Sequence, residues 1–114
     1  MTATKALALI AAEAMEARKA EDVMVLEIGR VTPVADYFVI CSAETSVQIR
    51  AISEGVEEAM EGAGVRLLGK EGHARARWVL LDFGVIVAHI FGPEARALYS
   101  LERLWADAPI VAER

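Results

Sequence analysis

Cysteine is nearly missing from this chain: Cys41 stands alone, which rules out an internal disulfide and any thiol pair at metal-ligand spacing, and suits a reducing compartment. A surplus of positive charge is missing too. Twelve Lys and Arg face 17 Asp and Glu, a formal net charge of −5. That balance argues against a protein that holds nucleic acid chiefly through phosphate contacts, because counterion displacement needs excess Lys and Arg. No apolar run approaches the ~20 residues of a membrane span. No glycine-rich phosphate cradle is present, since SAETS at 42–46 is not a P-loop. Linkers, repeats and low-complexity segments are lacking as well, so the 114 residues read as one domain, residues 1–114.

What is present is apolar. Hydrophobic residues make up 55% of the chain, enough to build a core without disulfides or metal clips. The N-terminal KALALIAAEAM imitates a signal peptide, but Glu13 interrupts the run and EARKAED follows at once. Leu7, Ile10 and Ala14 repeat at the spacing of one helical face, so the segment reads as an amphipathic helix over about residues 3–19. The expected localisation is cytoplasmic.

VMVLEI (23–28) and DYFVICS (36–42) are apolar on both faces, the pattern of strands buried on two sides and covered by helices. Gly29 and Thr32-Pro33 mark the turn between them. Thr45 and Gln48 fit a capping box, and Ile49, Ile52, Val56 and Met60 follow at helical steps until Gly62-Ala63-Gly64. VRLL (65–68) reads as a short strand, and GKEGHARAR as a polar, locally basic connection. RWVLLDF (77–83) and VIVAHIF (85–91) form a hairpin around Phe83-Gly84. Gly92-Pro93 opens a last helix, with Leu98, Leu101, Leu104 and Trp105 along one side and Tyr99, Glu102 and Arg103 falling away from it. The expected fold is α/β (α+β), in the order α-β-β-α-β-β-β-α, with a mixed sheet of about five strands covered by helices.

Candidate chemistry is sparse. Asp36 at a strand start and Asp82 at a strand end could hold magnesium if they were neighbours, but with no phosphate cradle beside them each is better explained as ending a strand or accepting turn hydrogen bonds. His89, inside an apolar strand, reads as a buried residue bonded to a carbonyl, for no nucleophile or ligand is spaced to meet it. His73, Lys70, Arg75 and Arg77 read as a solvated loop, and Cys41 as a small core hydrophobe. Trp78 and Trp105 fit either a core or an interface anchor. The residues alone therefore lead to an acidic α/β domain, a binding module rather than an enzyme, with no cofactor and no metal.

Three stretches in order go further. ADYFVICSAETSVQIRAI (35–52), WVLLDFGVIVAHIF (78–91) and ALYSLERLWADA (97–108) resemble the ribosomal silencing factor, or Iojap-like, family. With the first helix and VMVLEI, the resemblance covers nearly the whole chain. It implies a fold related to nucleotidyltransferases without their activity. It further implies binding to the large ribosomal subunit through a ribosomal protein on the joining face, which blocks association with the small subunit and represses translation when nutrients are scarce. A homodimer of the free protein is implied as well. The family pattern matches at Asp36, Tyr37 and Phe38, at Trp78, Asp82, Gly84 and His89, and at Tyr99, Leu101, Glu102, Leu104, Trp105 and Asp107. It departs at Val85, where an acidic residue is usual, and at Ala43-Glu44, which replace a small glycine-containing stretch.

Charge fits this resemblance independently, since an acidic protein is repelled by RNA but complements a basic ribosomal protein. Partner contacts are thus expected at Trp78 as anchor, with Asp82, Tyr99, Glu102, Asp107, Tyr37 and Asp36. Trp105 is assigned mainly to packing at its helix end. Little direct nucleic-acid binding and no membrane contact are expected. The alternatives are an adaptor for another basic protein and, further off, a nucleotidyltransferase-type enzyme.

Overall fold

The two runs that are apolar on both faces become adjacent strands near the middle of one sheet. In the computed structural model, which describes residues 2–73, 78–92 and 108–113, β1 (Glu21–Leu26) pairs antiparallel with β2 (Tyr37–Ser42). β2 in turn pairs parallel with β5 (Ile86–Phe91), and every residue of both strands is buried. β4 (Trp78–Asp82) lies antiparallel to β5 and β3 (Gly69–His73) antiparallel to β4, while β6 (Ile110–Glu113) closes the other edge against β1. The sheet order is β3-β4-β5-β2-β1-β6. The architecture is mixed α+β, with six strands among the described residues instead of about five.

The extra strand and a shifted one have physical reasons. VRLL (65–68) is not a strand: Val65 N–H still donates to Met60 O at the end of the preceding helix, and pairing starts only where Leu68 N–H meets Asp82 O at 2.8 Å. β3 is built instead from GKEGH, whose polar side chains hid it, because an edge strand needs only one partner and little burial. The final helix expected from Pro93 onward lies outside the described residues, and Leu98, Leu101, Leu104 and Trp105 lie there with it.

Helix α1 (Thr2–Ala17) and helix α2 (Ser46–Gly62) pack side by side on one face of the sheet. The buried stripe of α1 is centred on Ala8, Ala11, Ala12 and Met15, with Leu7, Ile10 and Ala14 flanking it; small residues let the helix approach closely. α2 starts as its sequence requires. Thr45 Oγ1 accepts from Gln48 N–H at 3.1 Å, while Gln48 Oε1 accepts from Glu44 N–H at 3.0 Å, one residue before the position of a capping box. Gln48 Nε2 also donates to Lys19 O at 2.9 Å, fastening the start of α2 to the end of α1. α2 stops at the left-handed Gly64 (φ 81°).

Cores form on both faces. The helix-facing core takes Val23, Val25, Tyr37, Val39, Cys41, Val79, Leu81, Ile86, Ala88 and Ile90 from the strands. Residues between them, including Leu26, Phe38, Ile40, Val87 and Phe91, form a second cluster on the other face, with Met24, Trp78 and Leu80 packed against it. This is the period-two alternation of a pleated strand, and it sorts the candidate residues by face.

One backbone position secures the β3 edge. Gly72 sits at φ 73°, and a Cβ there would collide with the carbonyl oxygen of Trp78. Gly72→Ala is expected to cost about 2 kcal/mol through strain and lost pairing. Hydrogen exchange should show it, with β3 amides losing protection far more than the amides of β2 and β5.

Candidate partner-docking surface

The pairing registers lay out the second face as a grid. One row across the strands runs Gly69, Asp82, Val87, Phe38 and Leu26; the next runs Glu71, Leu80, His89, Ile40 and Met24; a third carries Trp78, Phe91 and Ser42. Residues along a row are one strand spacing apart, about 4.8 Å. The rings interlock: Trp78 stacks on Phe91 with centroids 6.2 Å apart, His89 stacks on Phe91 at 5.8 Å, and Phe38 meets His89 edge-on at 4.7 Å.

At the β3 side this grid opens into a cleft of about 280 Å³ lined by Val34, Phe38, Gly69, Glu71, Leu80, Asp82, Val87 and His89. Gly69 creates the space, because it faces Asp82 across the pair without a side chain. The rim is acidic. Glu71 is exposed, and Asp82 is half-buried, with Oδ1 accepting the N–H of Gly84 at 2.8 Å to shape the hairpin turn. Around the same end of the sheet lie the exposed apolar residues Val34, Leu68 and Val85.

His89 departs from expectation. It is only 5% exposed, yet among the described residues neither ring nitrogen has a hydrogen-bond partner, and the expected bond to a carbonyl is not found there. Burial pushes its pKa down from 6.5 to about 4, and the imidazole is therefore neutral at physiological pH.

The expected contact residues are divided by this geometry. Trp78 and Asp82 share the second face, Trp78 half-buried beside Phe91. Asp36 is exposed just before β2, its N–H bonded to Val85 O at 2.8 Å and its carbonyl to Gly29 N–H at 3.0 Å. It is not a neighbour of Asp82, because β5 stands between their strands, roughly 10 Å of lateral separation. Among the described residues no group of three or more His, Cys, Asp and Glu is placed to hold a metal ion. Tyr37 is corrected as a contact residue: it is 5% exposed and packs in the helix-facing core, on the opposite side of the sheet from Trp78. Burial first, then the charges of Glu27 and Asp36, raise its hydroxyl pKa above the ordinary value against the opposing charge of Arg30. Tyr99, Glu102 and Asp107 lie outside the described residues. Sequence reasoning missed Glu71, since it stands in a segment read as a loop; only the alternation of β3 opposite β4 places it beside Leu80.

Among the described residues a six-stranded mixed sheet carries two helices on one face and a buried aromatic cluster with acidic groups at its margin on the other, the architecture of a small α+β domain. A family model described as ribosomal silencing factor during starvation matches residues 1–114, and the chain belongs to that family. It is 39% identical over 106 residues to the ribosomal silencing factor of Bacillus subtilis, covering 93% of this chain and 90% of the relative. It is 38% identical over 102 residues to that of Halalkalibacterium halodurans, covering 90% and 87%. The chloroplastic protein Iojap of Zea mays is 35% identical over 97 residues, 85% of this chain and 42% of that protein. A solved structure from Chromobacterium violaceum superposes with a TM-score of 0.86 at 30% identity, covering 90% of this chain and 85% of the other. One from Bacillus halodurans gives 0.81 at 34% identity, covering 95% and 98%. No described helix is long and apolar enough to cross a membrane.

The buried imidazole gives stability a dependence on pH. Its folded pKa of about 4 lies below the ordinary 6.5, so the unfolded chain binds the proton more readily, and stability falls as pH drops from about 6.5 toward 4. Between pH 7 and pH 5 this amounts to about 2 kcal/mol. Urea unfolding of the wild type and of His89→Phe at both values should separate the group from the carboxylates. The difference between the two proteins should change by that amount, and parallel pH profiles would show that His89 does not contribute.

Proposed function

We propose that this protein binds the large ribosomal subunit through a basic ribosomal protein on the joining face and prevents the small subunit from docking there. Membership of the silencing family carries the reading. The second face of the sheet supports it, because Trp78 stands half-buried beside an apolar grid with Asp82 and Glu71 at the margin. An aromatic anchor surrounded by acidic groups suits a basic protein partner and repels RNA phosphates. Occlusion requires no turnover, so the protein acts as a steric translational repressor in the cytoplasm and not as an enzyme. Asp36 and the sequence-assigned Tyr99, Glu102 and Asp107 belong to the proposed contact set, while the buried Tyr37 serves the core. The apolar rim of Val34, Leu68 and Val85 also favours a homodimer when no ribosome is present.

Sedimentation of mixed subunits tests this directly. The wild type should hold large and small subunits apart. Trp78→Ala should bind large subunits roughly thirtyfold more weakly and allow them to join, the scale of loss typical of a buried interface tryptophan. Because Trp78 also stacks on Phe91, its unfolding curve must be recorded alongside. A folded Trp78→Ala that blocks joining as well as the wild type would remove this surface from the docking site.

A further inference from the structure

The cleft beside β3 has a composition that neither a core nor an ordinary surface requires. Its floor is apolar, from Phe38, Leu80 and Val87, and its outer margin carries the carboxylates of Glu71 and Asp82. Into this wall is set His89, only 5% exposed, with both ring nitrogens lacking a hydrogen-bond partner among the described residues. A buried polar side chain in that condition is uncommon, because the lost hydration is not replaced within the fold. We propose that the cleft receives a cationic side chain of the protein partner, an arginine, whose aliphatic stem lies on Phe38, Leu80 and Val87 and whose guanidinium is shared by Glu71, Asp82 and His89. The inference rests on the docking reading above and names the partner chemistry of one part of that surface.

Arginine matches the donor and acceptor arrangement better than lysine. Its planar guanidinium presents five N–H donors in a fixed fork, so it can donate to carboxylates on one side and to a neutral imidazole nitrogen on another. Lysine has a compact, strongly hydrated head whose transfer to an apolar-floored cleft costs more. An anionic group is excluded by Glu71 and Asp82, and a neutral imidazole offers it no charge. An apolar side chain would fill the floor yet leave His89 unpaired. Asp82 already accepts the Gly84 N–H through Oδ1, which holds the carboxylate in place and leaves Oδ2 for a ligand. Glu71 stands opposite Leu80, diagonal to Asp82, so the two carboxylates flank the same opening.

The test compares variants that keep the shape and change the charge. Glu71→Gln combined with Asp82→Asn preserves the amide acceptor for Gly84, and Glu54→Gln combined with Glu61→Gln makes an equal change of net charge on exposed positions of α2. Affinity for purified large subunits is measured over a salt series. The cleft variant should lose about tenfold or more and show a weaker salt dependence, while the α2 variant stays within about twofold of wild type. His89→Phe should lose affinity without changing the salt dependence. If the wild type binds subunits and the cleft variant binds equally well, the arginine site is overturned and the docking reading stands. If the wild type does not bind subunits, the docking reading fails, and a second measurement decides the cleft on its own. In that measurement N-acetyl-arginine methylamide is titrated into the protein while the His89 ring resonances are followed. They should shift in the wild type, less with the lysine analogue, and not in the cleft variant. Unmoved His89 resonances with the arginine probe would overturn the site whatever the ribosome result.

Discussion

β2 and β5 run parallel at the centre of the sheet, paired without interruption from Tyr37 opposite Ile86 to Ser42 opposite Phe91. Parallel neighbours cannot be joined by a tight turn, so the chain must leave the end of β2 and return to the start of β5. It does so by way of α2 and the antiparallel pair β3 and β4, and the organisation of the molecule follows from that detour. α2 covers the centre of one face beside α1, while β3 and β4 extend the sheet outward from β5. Both central strands are buried on two sides, which explains why they read as continuous apolar runs in place of an alternation.

The same pairing separates two kinds of chemistry. Helix-facing positions are filled by Val39, Cys41, Ala88 and Ile90, small or branched groups that accept the close alanine stripe of α1. Positions one residue away carry Phe38, His89, Phe91 and Trp78, large rings that stack across strands. A register shift of one residue would exchange the two sets, so the central pairing also determines which face presents aromatic and acidic groups.

Legibility in the sequence followed burial. β1, β2, β4 and β5 could be read because apolar pattern and burial coincide there, and α2 because Thr45, Gln48 and Gly64 supply chemical start and stop signals. β3 could not, since Lys70 and Glu71 carry no hydrophobic signature and the strand is held by pairing with β4 alone; Lys70 even turns to the helix side to meet Glu57 at 3.2 Å. β6 was hidden for a related reason: a short, partly exposed edge strand is specified by β1 and not by its own composition. The proposed docking surface was half legible. Trp78 and Asp82 alternate visibly on one strand, whereas Glu71 joins them only through the β3 register. Tyr37 was misplaced because, in a strand apolar on both faces, sequence does not say which side of the sheet a residue occupies.

His89 shows how far a single position can carry the argument from pattern to use. An apolar strand offers no reason for an imidazole, and any aliphatic residue there would avoid an unpaired buried polar group whose desolvation costs about 1–3 kcal/mol. The fold absorbs that cost by keeping the ring neutral and packing it between Phe38 and Phe91, which holds it in one orientation at the wall of the acid-rimmed cleft. A group that is neutral, fixed and without a partner among the described residues gains most from a ligand that brings hydrogen-bond donors, because its lost hydration is then replaced. In the proposed site Glu71 and Asp82 would select the charge of that ligand, Phe38, Leu80 and Val87 would accommodate its apolar stem, and the imidazole would favour a donor with more than one direction to give.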